Sequence, residues 1–509
     1  MDFPANVPRD HPEMSPSSPP QSMSGPEPKA LRRSLRKLDA FLLLPVTVIY
    51  FLNFLDRSNI GNAKAAGLQT DLKLSNTQYS IALTVTYVPY IVAELPLTLA
   101  IKKIGPNILL PALVVAWGLV TTFQGFVNSY SGLLAARFFL GATEGAILPS
   151  SITYLSTFYC RADLGKRVAF FFSATSLAGA FSGLLAAALL NMEGLGGKRG
   201  WQWIFIIEGL FTIVWGTLSF FILPRDPQTT RFLSEEERAA LLIAHDVDRQ
   251  MEEEEQPLTI SAVLSALKAP QMWLIFVQFF CSGTTLYGLA YFAPTIVGGL
   301  GYKGTQVQLY SVPPYVCSAF VALTACWTSD YFRHRGLFVV AASLISVVGY
   351  AMYLGSSNTH VLYASLFLQV IGAYTVAPLQ STWMPNNLAP FYKRVTGITL
   401  GFIATNSGGI LSTWLFPTTE APRYHRGTSI LLSLASVMAF FAMLNTLYLM
   451  RENRKKAARI AALGQQEGAM ASGSVKAAKT PGTFIEGGAA WEEEEEEEGD
   501  RNVHFKYIT

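Results

Sequence analysis

The sequence predicts an all-α, polytopic membrane protein of about twelve transmembrane helices arranged as two six-helix halves. Three observations predict it. Half of the 509 residues are hydrophobic and only 14% are charged, against about a quarter charged in an ordinary soluble domain, and the mean hydropathy is +0.31. Apolar runs near the ~20 residues that a helix needs to cross a bilayer recur along the chain between short polar breaks. One long polar segment, Pro224 to Pro270, divides these runs into two groups of six. A single soluble core explains none of this.

Each element follows from an apolar window bounded by charge, Gly or Pro. Residues 1–39 form a Pro- and Ser-rich N-terminal tail without the basic, apolar, small-residue order of a cleaved signal, so the first apolar run is expected to be retained. The first half, 40–223, holds spans near 40–61, 77–99, 107–127, 132–156, 168–191 and 202–223. The central loop, 224–271, is too charged to span and carries Ser234 and Glu237 at the spacing of a helix capping box. The second half, 272–450, holds spans near 272–298, 307–329, 337–356, 360–383, 395–416 and 428–450. Residues 451–509 form a C-terminal tail of Ala, Gly and an acidic run, Glu492 to Glu498, read as a solvated charge block. Both tails have compositions expected to be disordered.

Basic residues set the orientation. Lys29, Arg32, Arg33, Arg36 and Lys37, then Lys102, Lys103, Arg161, Lys166, Arg167, Arg333, Arg335, Lys393, Arg394, Arg451, Arg454, Lys455 and Lys456, share one side with the central loop. Only Lys64, Lys73, Lys198, Arg199, Lys303, Arg423 and Arg426 fall on the other. Both termini are therefore expected in the cytoplasm, and the plasma membrane is the default location because no retention signal is evident. The formal charge of +3 is spread along these flanks and offers no nucleic-acid surface. Cys160, Cys281, Cys317 and Cys326 lack metal-ligand spacing and read as packing residues. The six histidines are scattered, and no Gly-Lys-Ser/Thr phosphate loop is present. An enzyme, a metal or cofactor protein and an ATP-driven pump are all disfavoured. A secondary carrier for a small molecule, working as a monomer in the bilayer with its site between the halves, is the expected class.

Charged side chains inside spans cost at least ~2.5 kcal/mol each at the bilayer centre and mark functional candidates. They are Asp56, Arg57, Glu94, Arg137, Glu144 and Glu208, all in the first half. Arg57 comes late in an outward-running span and Arg137 early in an inward-running one, so both fall at similar depth in the outer half of the bilayer. Two guanidiniums there could flank one anion, gripping a carboxylate through paired N–H groups. Glu144 follows Arg137 on the same face of its helix, about 10 Å along the axis, too far for a direct pair. Near the midplane an ionised carboxylate is costly, which makes Glu144 the candidate carrier of a coupling proton. Each charge also has a structural reading: Asp56 can neutralise its neighbour, and Glu94 and Glu208 suit gate or packing positions. Ser173, Gly179 and Gly183 read as a close-approach surface, and Tyr287, Gln369, Trp383 and Asn406 as candidates for the opposite cavity wall.

The stretches LDRSNIGNA (55–63), RFFLGATEGAILP (137–149), GWQWIFIIEG (200–209) and LPRDPQTTRFLSEEER (223–238) resemble the major facilitator superfamily. Within it they resemble the anion:cation symporter family and its fungal allantoate permease-like branch, over roughly residues 38–456. The resemblance implies proton-coupled transport of organic anions or vitamins such as ureides, nicotinate or pantothenate. It implies substrate recognition by Arg57 and Arg137 and proton coupling at Glu144. The superfamily's first-half loop motif is reduced here to IKKIGPN (101–107), whereas SDYFRHRG (329–336) keeps the second-half counterpart, with Asp330, Arg333 and Arg335 as gate-latch charges. A helix-two histidine of the related glutamate carriers has no counterpart, since the positions read Leu83 and Thr84. The expected function is uptake of a small organic anion with protons by alternating access; the alternative is export of a secondary metabolite made by a biosynthetic gene cluster.

Overall fold

The computed structural model describes residues 28–253, 260–388, 391–477 and 507–508, and among them every regular element is helical. The membrane-length helices are α1 (Leu44–Ala65), α2 (Asn76–Ile104), α3 (Pro106–Gln124), α4 (Tyr130–Glu144, continued by Ile147–Ser156), α5 (Arg161–Leu189) and α6 (Gly200–Ile222). The second six are α7 (Pro270–Gly299), α8 (Thr305–Phe332), α9 (Arg335–Gly355), α10 (Thr359–Asn386), α11 (Phe391–Ser412) and α12 (His425–Ala477). Ten of these segments are long and apolar enough to cross a membrane, counted among the described residues. The other two, α2 and α11, complete the sets of six by packing on α4 and α7.

Local chemistry starts and stops the helices. Ser75 accepts from the Gln78 N–H at 3.1 Å while its own N–H donates to the Gln78 side chain at 2.9 Å, so both orphan donors at the start of α2 are met. Gly105, at φ +97°, turns α2 into α3, where Pro106 supplies the first helical residue. Outward-facing aromatic side chains are left bare, among them Phe221, Trp327 and Phe320 at 84%, 72% and 70% exposure. That apolar rim is the surface a bilayer covers.

Small residues decide how closely the helices approach. A Cβ on Gly141 would fall 2.0 Å from the Thr86 carbonyl oxygen, and one on Gly145 2.4 Å from that of Tyr90, so α4 lies against the backbone of α2. Between halves, a Cβ on Gly61 would sit 2.4 Å from the Tyr291 carbonyl, and Gly179 and Gly183 receive Tyr315 and Val312 of α8. At one end the halves are bonded shut: Ser80 donates to the Thr413 carbonyl at 2.9 Å, the Thr84 and Thr413 hydroxyls meet at 2.8 Å, and Gln308 donates to the Asn62 carbonyl at 3.3 Å. At the other end, which carries both described terminal helices, a cavity of about 290 Å³ separates α4 and α5 from α10 and α11.

Two tail segments differ from expectation. Pro28–Leu38 is helical and runs through a π-helical turn, Asp39–Leu43, into α1. Arg167 of α5 holds that turn by donating to both oxygens of Asp39, at 2.6 and 3.1 Å. Residues 451–477, expected to be irregular, continue α12 as helix, because Ala-rich sequence propagates a helix already nucleated by its packed apolar half. Residues 1–27 and 478–506, including the acidic run, lie outside the described residues.

In the central segment Glu235–Glu253 is helical, and its capping box forms: the Ser234 N–H donates to Glu237 at 2.9 Å and the Glu237 N–H to Ser234 at 3.3 Å. Lys37 donates to Glu237 at 2.7 Å, joining this helix to the N-terminal one. The Lys37 ammonium, helped by the Ser234 N–H, holds the Glu237 carboxyl below the usual carboxylate range. The contact therefore stabilises above the ordinary glutamate range and is lost as pH falls through the lowered value. Glu237→Gln is expected to accelerate amide hydrogen exchange across 235–253 at neutral pH, and acidification to do the same in the wild type after correction for intrinsic rates.

Candidate functional site

Successive residues on a helix point about 100° apart, so neighbours on α1 serve different walls. Asp56 faces α3, where its Oδ2 accepts from Trp117 Nε1 and from the Thr121 hydroxyl, each at 2.6 Å. Arg57 faces α4, α2 and α7. Its Nε donates to Glu144 at 3.1 Å and an Nη to the Tyr287 hydroxyl at 2.5 Å, while its guanidinium lies over the rings of Tyr90 and Tyr287, 4.9 and 5.2 Å from the centroids. Asn59, almost a turn further on, donates to Glu208 of α6.

Arg137 is 3% exposed, and its guanidinium sits 5.9 Å from the Phe205 ring centroid. Its Nε and one Nη have no hydrogen-bond partner among the described residues. Arg57, Arg137 and Glu144 nevertheless share one small void, about 10 Å³, closed by Thr86, Tyr87, Tyr90 and Tyr291. The Tyr87 and Tyr291 hydroxyls meet at 2.6 Å across it, one from each half.

Tyr90 also lines the next cavity, about 50 Å³ in the middle of the bundle, together with Glu94, Tyr287, Gln380 and Asn406. Phe172, Phe279, Ser381 and Phe402 border both this cavity and the 290 Å³ one at the terminal end. The arrangement is a row of adjoining spaces between the terminal end and two buried arginines.

A model of the Major Facilitator Superfamily matches residues 46–413. The chain belongs to the major facilitator superfamily. Curated relatives agree: an uncharacterized transporter of Schizosaccharomyces pombe is 38% identical over 83% of this chain and 84% of its own. The high-affinity nicotinic acid transporter of Saccharomyces cerevisiae is 31% identical over 84% of this chain and 80% of its own. A solved bacterial homologue of the human lysosomal transporter Spinster, in an inward-facing and unoccupied conformation, superposes with a TM-score of 0.62 at 16% identity, covering 80% of this chain and 96% of that one. The protein is thus a multi-pass integral membrane transporter of this superfamily.

Of the charges singled out in the sequence, this major facilitator brings Arg57, Arg137 and Glu144 to one void and lines the adjoining cavity with Glu94. Asp56 forms no ion pair with Arg57 among the described residues; its partners are the indole and hydroxyl of α3. Glu208 is buried against α1 through Asn59. Asp330 and Arg335 pair with each other at the terminal end of α8 and α9, far from the arginines along the helix axes, through an Nε bond of 2.9 Å, and Arg333 ends α8 in a left-handed conformation at φ +56°. In the second half Tyr287 and Asn406 reach the cavity, whereas Gln369 packs against α9 through the Gly349 carbonyl. Tyr90 lies outside the sequence reading; its spacing of four residues from Glu94 puts both on one face of α2, the signal that could have found it.

Asp56→Ala would leave the Trp117 N–H and Thr121 hydroxyl without their acceptor, at a cost of about 1–3 kcal/mol. A lower melting temperature of the detergent-purified transporter is expected, with Asp56→Asn, which keeps an acceptor oxygen, affected less.

Proposed function

We propose that this transporter takes up a small organic monoanion, a carboxylate of the nicotinate class, together with protons, through the plasma membrane with both termini in the cytoplasm. The observation that carries the proposal is Arg137, a buried guanidinium with no carboxylate partner among the described residues, lining the same void as an Arg57 that has one. An unpaired buried charge is strongly unfavourable, and a carboxylate seated between the two arginines would relieve it with charge-assisted hydrogen bonds.

Glu144 competes with that anion for Arg57. While ionised, it holds the Arg57 guanidinium; once it takes a proton, its hold weakens and Arg57 is free to share an incoming carboxylate with Arg137. Proton and anion then enter together, and two arginines face one substrate charge and one neutral acid. Release to the cytoplasm returns Glu144 to Arg57. Tyr287 of α7 donates no charge but receives an Arg57 N–H from the other half, so movement of Arg57 is felt across the interface between halves. Rocking of one half against the other exposes such a site alternately.

Sequence likeness supports the reading in two ways. The residues LDR (55–57) and RFFLGATE (137–144) resemble the anion:cation symporter pattern, and a relative of 31% identity is named for nicotinic acid, itself a carboxylic acid. The plasma membrane and the uptake direction rest on that same likeness.

The test is uptake of labelled nicotinate and a panel of other small carboxylates in yeast lacking its own carriers, at acidic and neutral pH, with and without a protonophore. Saturable, protonophore-sensitive uptake of one anion is expected; reduced retention of a preloaded compound with no uptake would favour export instead. Arg137→Lys and Arg57→Lys are expected to weaken the apparent affinity by about 2 kcal/mol, on the order of 30-fold, with surface expression retained. In Glu144→Gln, net uptake should lose its dependence on the proton gradient while exchange of internal for external substrate persists.

A further inference from the structure

Tyr507 and Ile508 are separated from the rest of the described chain by residues 478–506, yet they are bound to it by five hydrogen bonds. Asn453 of α12 donates to the Tyr507 carbonyl at 2.8 Å and accepts the Tyr507 N–H at 2.9 Å. Asn387, just past the end of α10, donates to the Ile508 carbonyl at 2.9 Å and accepts the Ile508 N–H at 2.7 Å. Trp383 Nε1 adds a second donor to the Ile508 carbonyl at 2.8 Å.

The pattern is that of backbone recognition. A carboxamide offers one donor and one acceptor side by side, which matches the N–H and C=O of a single extended residue. In an extended segment these pairs point alternately to opposite sides. Asn453 takes the pair of one residue and Asn387 that of the next, so the segment is gripped from both flanks, by α12 and by α10. The Tyr507 ring is 6% exposed and packs among apolar residues of the second half, with the Lys456 ammonium 4.2 Å from its centroid. Asn387 and Trp383 are themselves 1% and 2% exposed.

The cleft also sits behind the transport path. Ser381, Pro385 and Asn386 of α10 line the 290 Å³ cavity on the opposite side of the same helix end. The Asn387 carbonyl accepts from Gln271 at the start of α7, at 3.4 Å. Docking therefore joins the terminal ends of α7, α10 and α12 into one unit bordering the mouth.

We infer that the terminal end of the second half carries a binding cleft for an extended peptide segment with an aromatic side chain, that the chain's own Tyr507–Ile508 is its ligand, and that occupation restrains the mouth of the cavity through α10. The peptide is recognised by its backbone through Asn387 and Asn453 and by its ring through Lys456. Release of the segment frees the end of α10. None of this depends on the substrate assignment, and the test uses no substrate.

Docking is read by proximity. A full-length protein carrying the photoreactive aromatic p-azidophenylalanine in place of Tyr507, with Lys456 unchanged and a site-specific protease sequence inserted within 478–506, is irradiated and then cleaved. The two fragments are expected to stay joined on a denaturing gel, with unirradiated protein as the control, and the joined fraction to fall several-fold when Asn387→Ala and Asn453→Ala are both added. The restraint is read at Ser381→Cys, labelled by a membrane-impermeant maleimide from the terminal side and quantified at that position by mass spectrometry. Removal of residues 507–509, which leaves every membrane helix intact, is expected to raise the labelling rate several-fold. Absence of the cross-link, a cross-link indifferent to the asparagines, or an unchanged labelling rate would each overturn the inference; a cross-link formed only between separate molecules would reassign the ligand to a second copy of the chain.

Discussion

A guanidinium inside a helical bundle persists only where its charge and its donors are met, and the way α1 meets those of Arg57 organises the centre of this transporter. The ion pair to Glu144 ties α1 to α4, the ring centroids of Tyr90 and Tyr287 lie 4.9 and 5.2 Å from the cation, and the bond to Tyr287 crosses to the second half. Such an arrangement demands close helices. Gly141 and Gly145 let α4 lie against α2, and Gly61 lets α1 touch the α7 backbone. The packing and the electrostatics are thus one design: without the glycines the charged groups would be too far apart to neutralise one another, and without neutralisation the close-packed centre would be penalised.

The polar groups of the first half divide by depth and partner into distinct tasks. Asp56 with Trp117 and Thr121, and Glu208 with Asn59, are enclosed between helices of the same half and hold α1 to α3 and α6. Arg57, Glu144 and Arg137 instead line a void that shares Tyr90 as a wall with the central cavity. The second half contributes hydroxyls and amides rather than charge: Tyr287, Tyr291, Gln380 and Asn406 border these spaces. The charges at the void and the central cavity thus come from the first half, and the second half supplies the uncharged wall that faces them.

The two ends of the bundle differ in how they are held. One end is closed by direct hydrogen bonds between α2 and α11 and between α1 and α8. The terminal end is spaced apart by a cavity, and its order comes from peripheral contacts within each half: Lys37 with Glu237 and Arg167 with Asp39 in the first, Asp330 with Arg335 and the docked Tyr507–Ile508 in the second. Contacts confined to one half can survive a rigid-body rocking motion, whereas the hydrogen bonds at the closed end have to break for it.

The fold class, the six-plus-six division, the capping box at Ser234 and the short set of membrane-embedded charges were all legible in the sequence, because each follows from local composition or from the cost of placing charge in hydrocarbon. Helix rise and periodicity even placed Arg57 and Arg137 at comparable depth. Which charge meets which was not legible: Glu144 pairs with a residue 87 positions away, Asp56 turns from its neighbour to α3, and Arg137 has no carboxylate partner among the described residues. Nor was the docking of Tyr507, since a two-residue segment beyond a low-complexity stretch has no pattern of its own. Periodicity fixes the face a side chain occupies on its own helix, but partners are chosen by how helices rotate and cross against one another, and that information exists only once the bundle has packed.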